Sequence, residues 1–283
     1  MNINEALIKG YQILKNSNIE SYIIDTQLLL CKVLKVEKLY IIMNRTEVLH
    51  EETEEKFFWL ISKRKEKMPM AYILNQVEFM GINFYVKSGV LIPRPDTEIL
   101  VEECISIIKE NNLSDICDMC CGSGAIGLSI ASYVKDSKLW LYDISSVALE
   151  VTEKNTKTLG LHERVKINKS DLFIKAKQEG LKFNMIVSNP PYIREVVIPT
   201  LMDDVKDYEP HIALSGGNDG LNFYRRICRD GKVLLNENGY MCFEIGHDQE
   251  REVKIIMKEQ GFQDIYSLKD LSENHRVVIG KLP

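Results

Sequence analysis

Apolar residues in the first 70 positions recur at the three- and four-residue spacing of helices that bury one face. Residues 51–67 also have acidic residues at the start, apolar residues in the middle and basic residues at the end. A helix dipole favours this polarity. The two clearest apolar series are Ile3, Leu7, Tyr11, Leu14 and Ile24, Leu28, Cys31, Leu34. The pattern predicts a small helical-bundle domain over residues 1–70.

The pattern changes after residue 70. Val77–Met80 and Ile82–Val86 flank a single glycine, which is typical of a short β-hairpin. Two prolines then stiffen a turn, and Asp96 or Thr97 is placed to cap a helix that extends to about residue 109. We therefore expect a β-hairpin linker over residues 71–95.

From about residue 114, short apolar runs alternate with segments of helical periodicity. Such alternation predicts a doubly wound α/β domain, here over residues 96–283. The predicted helices are Gly124–Tyr133, Ser146–Leu159, Leu221–Leu235 and Asp248–Gln260. The predicted strands are Asp115–Cys120, Lys138–Asp143, Val165–Lys169, Phe183–Ser188, Gly239–Ile245, Asp264–Leu268 and Val277–Lys281.

Composition narrows the function classes only a little. The 283 residues are 45% apolar and 27% charged, with a net charge of −5. The acidic balance weighs against bulk DNA binding, which usually needs a basic surface. No apolar run reaches the ~20 residues of a membrane span, and the start of the chain does not resemble a secretory signal. We therefore expect a cytoplasmic protein with no membrane association.

The seven cysteines indicate reduced thiols. Their odd number and their positions in apolar segments do not suit a disulfide framework. Cys117 and Cys120 form a C-x-x-C pair, but no second pair or histidine cluster completes a zinc site. We expect no metal. The five histidines have no obvious partners, so no general base is predicted.

A glycine-rich loop separates the first predicted strand from its helix. It contains Asp118, Cys120, Cys121, Gly122, Ser123 and Gly124, and glycines there let a ligand approach the backbone. Residues 122–127 also read G-x-G-x-x-G, and Asp143 follows about 20 residues later, as in nicotinamide dinucleotide sites. An oxidoreductase is therefore a serious alternative.

Charge favours a different cofactor. Asp118 and Asp171 add carboxylates near Asp143, and the loop itself contains no lysine or arginine to hold a pyrophosphate. S-adenosyl-L-methionine carries a sulfonium and an ammonium group, which acidic surroundings suit. Asp143 would accept from both ribose hydroxyls, and Asp171 from the adenine amino group.

The stretch VSNPPYI ends the fourth predicted strand. Asn189 and Pro190 both precede a proline, so both favour extended backbone, and neither Pro190 nor Pro191 has an N–H group. The Asn189 side-chain oxygen and the Pro190 carbonyl are thus two rigid acceptors for one NH₂ group, with the Tyr192 ring packed against it. This arrangement indicates methylation of an amino group. A nucleic-acid amino (adenine N6-type) methyltransferase has the same requirement, and a non-catalytic adaptor is a further alternative.

The sequence resembles the peptide chain release factor glutamine methyltransferases of the PrmC/HemK type along nearly its whole length. The resemblance rests on YILNQVEFMGINFYV (72–86), VLIPRPDTEILVE (90–102), DMCCGSGAIGLSIA (118–131), SNPPYI (188–193), YEPHIAL (208–214), GGNDGLNFYRRI (216–227) and EIG (244–246). It implies a seven-stranded Rossmann-like class I methyltransferase domain. It also implies an N-terminal helical domain that recognises the release factor, and methylation of the glutamine amide in a Gly-Gly-Gln tip.

The resemblance also implies residue roles. Cys120–Gly124, Asp143, Leu172 and Asn189 would line the cofactor, and Asn189–Tyr192 would hold the substrate amide. The expected partners are release factors, free or on the ribosome, and the expected state is a monomer. Two positions depart from the family: Cys120 and Asn75 stand where glycine is usual, and asparagine tolerates the left-handed conformation such a turn needs.

Overall fold

Helices form across the amino-terminal region in the computed structural model, which describes residues 1–283. The first begins with a capping box, in which Asn2 Oδ1 accepts from the Glu5 N–H and the Glu5 carboxylate accepts from the Asn2 N–H. The helices here are α1 (Ile3–Asn16), α2 (Tyr22–Leu34), α3 (Lys38–Met43), α4 (Glu51–Lys65) and α5 (Met70–Leu74). The predicted helical bundle is confirmed, but Ile24 and Leu28, which were expected on a buried face, are exposed, and α2 buries Leu29 and Leu30 instead.

These helices belong to the first of two units in the chain, which comprises residues 1–76 together with residues 202–208. Its core is formed mainly by α1, α2 and α4, where Leu14, Leu29 and Phe57 are completely buried. The later segment contributes α10 (Asp203–Lys206), and the Tyr208 hydroxyl donates to the backbone oxygen of Glu66. The sequence pattern did not predict that a distant segment completes this unit.

A buried ion pair joins two helices of this unit. Arg64 Nε on α4 donates to Asp25 Oδ2 on α2 over 2.7 Å, and both side chains are almost inaccessible to solvent. Asp25 also accepts from the Ser21 hydroxyl, and Arg64 donates to the backbone oxygen of Met68. The pair therefore has the additional hydrogen bonds that a buried charge requires.

The second unit comprises residues 77–201 and 209–283. Its seven-stranded sheet has the order β5-β4-β3-β6-β7-β9-β8, and only β9 runs against its neighbours. The strands are β3 (Asp115–Met119), β4 (Lys138–Asp143), β5 (Val165–Lys169), β6 (Phe183–Ser188), β7 (Leu235–Glu244), β8 (Gln263–Lys269) and β9 (His275–Lys281). The predicted seven-stranded α/β fold is confirmed.

Helices cover both faces of this sheet, as its two separate hydrophobic layers show. One layer includes Leu100, Leu128 and Leu141, and the other includes Tyr142, Tyr224 and Phe243. The helices are α6 (Glu98–Asn111), α7 (Ala125–Tyr133), α8 (Ser146–Thr158), α9 (Ile174–Gln178), α11 (His211–Leu214), α12 (Asn222–Gly231) and α13 (Glu250–Glu259). None of the helices in either unit is long and apolar enough to cross a membrane.

The predicted hairpin forms as β1 (Gln76–Phe79) and β2 (Ile82–Tyr85), but it is not a separate linker. Phe79 and Phe84 are buried in the same hydrophobic layer as α6 and α7. Asn75 precedes the hairpin in the left-handed conformation, with φ of 57°. Asn75 therefore adopts the left-handed conformation that the sequence analysis expected asparagine to tolerate.

Two local predictions were wrong. Neither Asp96 nor Thr97 caps α6 with its side chain, because the Thr97 hydroxyl donates to Glu244 and Asp96 pairs with Arg276. The helix predicted to reach Leu235 ends at Gly231, and a short 3₁₀ turn at Lys232–Leu234 leads into β7. That strand begins at Leu235, earlier than expected, and its register with β6 shifts between Phe183 and Met185.

The strand order of the sheet reverses between β3 and β6. From β3 it proceeds outward to β4 and β5, then returns to β6 on the other side. Met119 and Ser188 are register partners at the carboxyl ends of these two strands. The glycine-rich loop and the Asn-Pro-Pro-Tyr segment therefore begin side by side at the crevice where such sheets bind ligands.

Replacement of Asp25 with alanine should destabilise the helical unit by about 3–5 kcal/mol, because Arg64 would remain buried without its partner. Chemical denaturation followed by circular dichroism measures this loss. The matched control is Lys56→Ala, which removes an exposed ion pair with Glu52 on the same helix. Equal, small effects from both variants would contradict the role assigned to the buried pair.

Candidate active site

The glycine-rich loop turns sharply between β3 and α7. Cys120, Gly122 and Gly124 all have positive φ, at 63°, 56° and 79°. A side chain at Gly124 would bring its Cβ to 2.9 Å from the Thr152 methyl group, so this position needs glycine for space as well as for conformation. Cys120 adopts the same left-handed geometry without being glycine.

Helix α8 holds this loop in place. Thr152 Oγ1 donates to the Gly122 carbonyl over 2.8 Å, and Asn155 Nδ2 donates to the Ser123 carbonyl over 2.9 Å. Asp143 Oδ2 accepts the Gly122 N–H over 2.9 Å. Sequence reasoning missed Thr152 and Asn155; the available signal was two short polar residues three apart on the inner face of a helix.

Asp118 lies behind the loop. It is completely buried, does not line the cavity described below, and its Oδ2 accepts the Gly127 N–H over 2.9 Å. Burial raises the pKa of its carboxyl to about 7, and the Gly127 hydrogen bond opposes the rise. Gly127 leaves room for this contact, since a Cβ there would lie 3.0 Å from Asp118 Oδ2.

A cavity opens in front of the loop. The predicted residues that line it are Cys120, Cys121, Gly122, Ser123, Asp143, Asp171, Leu172, Asn189 and Pro191. Four predicted residues are not part of its wall: Asp118, Gly124, Pro190 and Tyr192. The rest of the wall is mostly apolar, with side chains such as Val90, Ile126 and Phe223.

The charges at the wall are mostly paired. Arg226 donates to Asp171 Oδ1 over 2.8 Å, and Arg94 forms an ion pair with Glu209. The charge argument from sequence considered only the loop and missed both arginines, which come from distant segments. Asp143 differs, because its oxygens accept the N–H groups of Gly122 and Ser145 and it has no cationic partner. Burial raises the pKa of the Asp143 carboxyl, and these N–H groups oppose the rise.

This charge distribution fits a ligand with a cation and a diol better than one with a pyrophosphate. A pyrophosphate would face the unpaired Asp143, while both wall arginines already neutralise carboxylates. In a sulfonium compound with a ribose, the positive charge would be attracted to the Asp143 carboxylate, and the ribose hydroxyls would donate hydrogen bonds to it. The residues present therefore fit S-adenosylmethionine.

The side-chain amide of Asn189 has a defined orientation. The single proton of the Thr97 hydroxyl goes to Glu244 Oε2, so Thr97 can only accept from Asn189. Asn189 Nδ2 accordingly donates to Thr97 Oγ1 over 3.4 Å. Asn189 Oδ1 makes no hydrogen bond within the protein, and the residue lines the cavity. An acceptor oxygen is thus available to a ligand there.

Glu244 lies beneath this segment and was not predicted as a site residue. It is buried, and its Oε1 lies 3.3 Å from the Tyr192 hydroxyl. Burial raises the pKa of Glu244 to about 7 and also raises the pKa of Tyr192 above its usual value. Sequence reasoning considered only histidines as bases; the EIG stretch (244–246) was part of the family resemblance, but no role was assigned to Glu244.

No group of three or more histidine, cysteine or acidic side chains is arranged to hold a metal ion. All seven cysteines are free thiols, and Cys117 of the C-x-x-C pair is buried within the sheet.

The sequence of this chain matches two family models and several known proteins. The PrmC N-terminal domain matches residues 5–74, and the methyltransferase small domain matches residues 96–202. The chain is 51% identical to a release factor glutamine methyltransferase of Clostridium botulinum over 98% of both chains. It is 50% identical to one of Clostridium acetobutylicum over 99% of this chain and 98% of that one.

Among solved structures, the catalytic domain of hMettl16 in complex with a MAT2A 3′UTR hairpin aligns with a TM-score of 0.58 over 86% of each chain. The identity is 12%, so this likeness concerns the fold alone. Identity of about half over nearly the full length shows that the chain belongs to the release factor glutamine methyltransferase family.

Proposed function

We propose that this chain methylates the side-chain amide nitrogen of the glutamine in the Gly-Gly-Gln tip of peptide chain release factors, with S-adenosyl-L-methionine as donor. Family membership supports this reaction. The observation that carries the proposal for the site is Asn189, whose amide is oriented by Thr97 so that Oδ1 is free at the cavity. The family relationship does not favour the nucleic-acid and nicotinamide alternatives.

Asn189 Oδ1 and the Pro190 carbonyl would accept the two N–H groups of the target amide. An amide nitrogen is a poor nucleophile because its lone pair is delocalised, and two fixed acceptors direct that lone pair toward the methyl group. The Tyr192 ring would pack against the planar amide. The bound cofactor supplies an electrophilic methyl group. Positioning two reactants this way is worth roughly 7–11 kcal/mol of the barrier.

The cofactor would be held by residues around the loop. Asp143 would accept from the ribose hydroxyls, and Cys120–Gly124 would lie against the methionine part. Asp171 and Leu172 would contact the adenine; Asp171 Oδ1 is paired with Arg226, so Oδ2 is the oxygen available to the amino group. The residue Cys121 is buried beside Thr152, consistent with a rigid wall at this point.

We assign release factor recognition to the helical unit. Surface apolar side chains are unusually frequent in it, and exposed apolar groups of this kind often mark interaction sites. They are Ile8, Ile23, Ile24, Leu28, Leu39, Tyr40, Ile42, Met43, Val48, Trp59 and Met202. We further propose that the protein acts as a cytoplasmic monomer, on release factors either free or on the ribosome.

Replacement of Asp143 with alanine should weaken cofactor binding by about 1.5–3 kcal/mol, the usual worth of hydrogen bonds to a charged group. Isothermal titration calorimetry measures the change. Asp136→Ala, at an exposed aspartate outside the cavity wall, is the matched control and should bind normally. Tight NADH binding without binding of the methyl donor would overturn the cofactor assignment.

The variant Asn189→Ala should lower kcat about 10²–10³-fold, by analogy with loss of one preorganised hydrogen-bonding group from an oxyanion hole. Cofactor affinity should change less, because Asp143 and the loop remain. Single-turnover methylation of a purified release factor, with a nucleic acid as parallel substrate, tests this. Wild-type rates from a folded Asn189→Ala variant would mean that the segment only ends a strand.

Removal of surface apolar groups from the helical unit should impair docking. Ile24→Ser and Leu39→Ser should each raise KM for the intact release factor about tenfold, since burial of one such side chain is worth roughly 1.5–3 kcal/mol. Activity on a short glutamine peptide should not change. Ile255→Ser, at an exposed position of the second unit, is the control. Equal losses on both substrates would argue against a docking role.

A further inference from the structure

We propose that Glu244 is a positioning residue, whose ionised carboxylate holds the Asn189 amide in its working orientation through the Thr97 hydroxyl. This inference rests on the proposed function, because it assigns the orientation of the group that binds the target amide. It extends that function by adding two residues: Thr97, which lines the cavity, and Glu244, which is buried and does not line it.

The contacts form a short chain from the strand to the cavity. Glu244 is the last residue of β7, and its Oε2 accepts from the Thr97 hydroxyl. Thr97 then accepts from Asn189 Nδ2 over 3.4 Å, so Asn189 is linked to the Glu244 carboxylate through the Thr97 hydroxyl. The other carboxylate oxygen faces the Tyr192 hydroxyl at 3.3 Å. A single buried carboxylate therefore contacts both ends of the segment.

The direction of each hydrogen bond depends on the charge of Glu244. An ionised carboxylate only accepts, so Thr97 donates to it and must accept from Asn189. When the carboxyl is protonated and donates to the Thr97 hydroxyl, the hydroxyl no longer donates to Glu244. Its own proton then needs another acceptor. Asn189 satisfies it by rotating its amide, which places the NH₂ group at the cavity. That group would repel the target NH₂ instead of accepting from it.

The surroundings of Glu244 place this change near neutral pH. Burial raises its pKa to about 7, and donors from Thr97, Tyr192 and Asn189 and the charge of Arg276 limit the rise. Below that pH the carboxyl is protonated, so methylation should become faster as pH rises through about 7. The other titratable or charged groups around this network are Tyr224, whose hydroxyl donates to the Glu244 backbone oxygen, Arg94 near Tyr192, and Asp96 and Asp270, which pair with Arg276.

The first test is the pH dependence of single-turnover methylation of a release factor by the full-length chain. The wild type should show a rise near pH 7, and Glu244→Gln should lack it because glutamine does not titrate. Asp118 is a second buried carboxyl with a pKa of about 7, so Asp118→Asn is the control and should keep the rise. A rise near pH 7 that persists in Glu244→Gln would overturn the proposal, whatever the Asp118→Asn variant shows.

The second test uses Thr97, so that it does not depend on the stability of a Glu244 variant. Thr97→Val should lower kcat about 10–100-fold through misplacement of Asn189, with KM for the cofactor nearly unchanged. Thr97→Ser keeps the hydroxyl and should restore the rate. Equal rates for valine, serine and wild type would refute the relay. A wild-type enzyme that fails to methylate any release factor would instead refute the proposed function.

Discussion

The parallel register between β3 and β6 is the constraint on which the site depends. Because Met119 pairs with Ser188, the residues that follow each strand emerge together at one edge of the sheet. Cys120 then starts the glycine-rich loop and Asn189 starts the proline segment. A slip in this register would separate the glycine-rich loop from the Asn-Pro-Pro-Tyr segment, although the sequence of each motif would be unchanged.

Three carboxylates near this edge accept hydrogen bonds from different kinds of group, although Asp118 Oδ1 has no hydrogen-bond partner. Asp118 accepts a helix N–H group, Asp143 accepts two loop N–H groups, and Glu244 accepts from hydroxyls. An unpaired buried charge would be costly, so these hydrogen bonds are what allow acidic groups to remain at a mostly apolar cavity. Burial raises the pKa of two of the three, Asp118 and Glu244, to about 7.

Much of the fold follows from local patterns. The seven strands and their helices could be predicted because parallel strands buried on both faces read as short apolar runs between helical periodicities. The left-handed Asn75 was also predictable, since asparagine tolerates that conformation. By contrast, the capping role predicted for Thr97 failed, because a buried carboxylate from a strand 147 positions away competes for its hydroxyl. Local rules do not include such partners.

The sequence by itself determined the motifs: the acidic, glycine-rich loop, the rigid acceptors of Asn189 and Pro190, and the family resemblance. These depend on residue type, neighbouring residues and spacing. Only the tertiary structure decided which side chains support the motifs. Thr152 and Asn155 hold the loop from α8, Arg226 neutralises Asp171, and Glu244 underlies Asn189. The physical reason is that a hydrogen bond or ion pair acts over about 3 Å in space, whatever the separation of its partners along the chain.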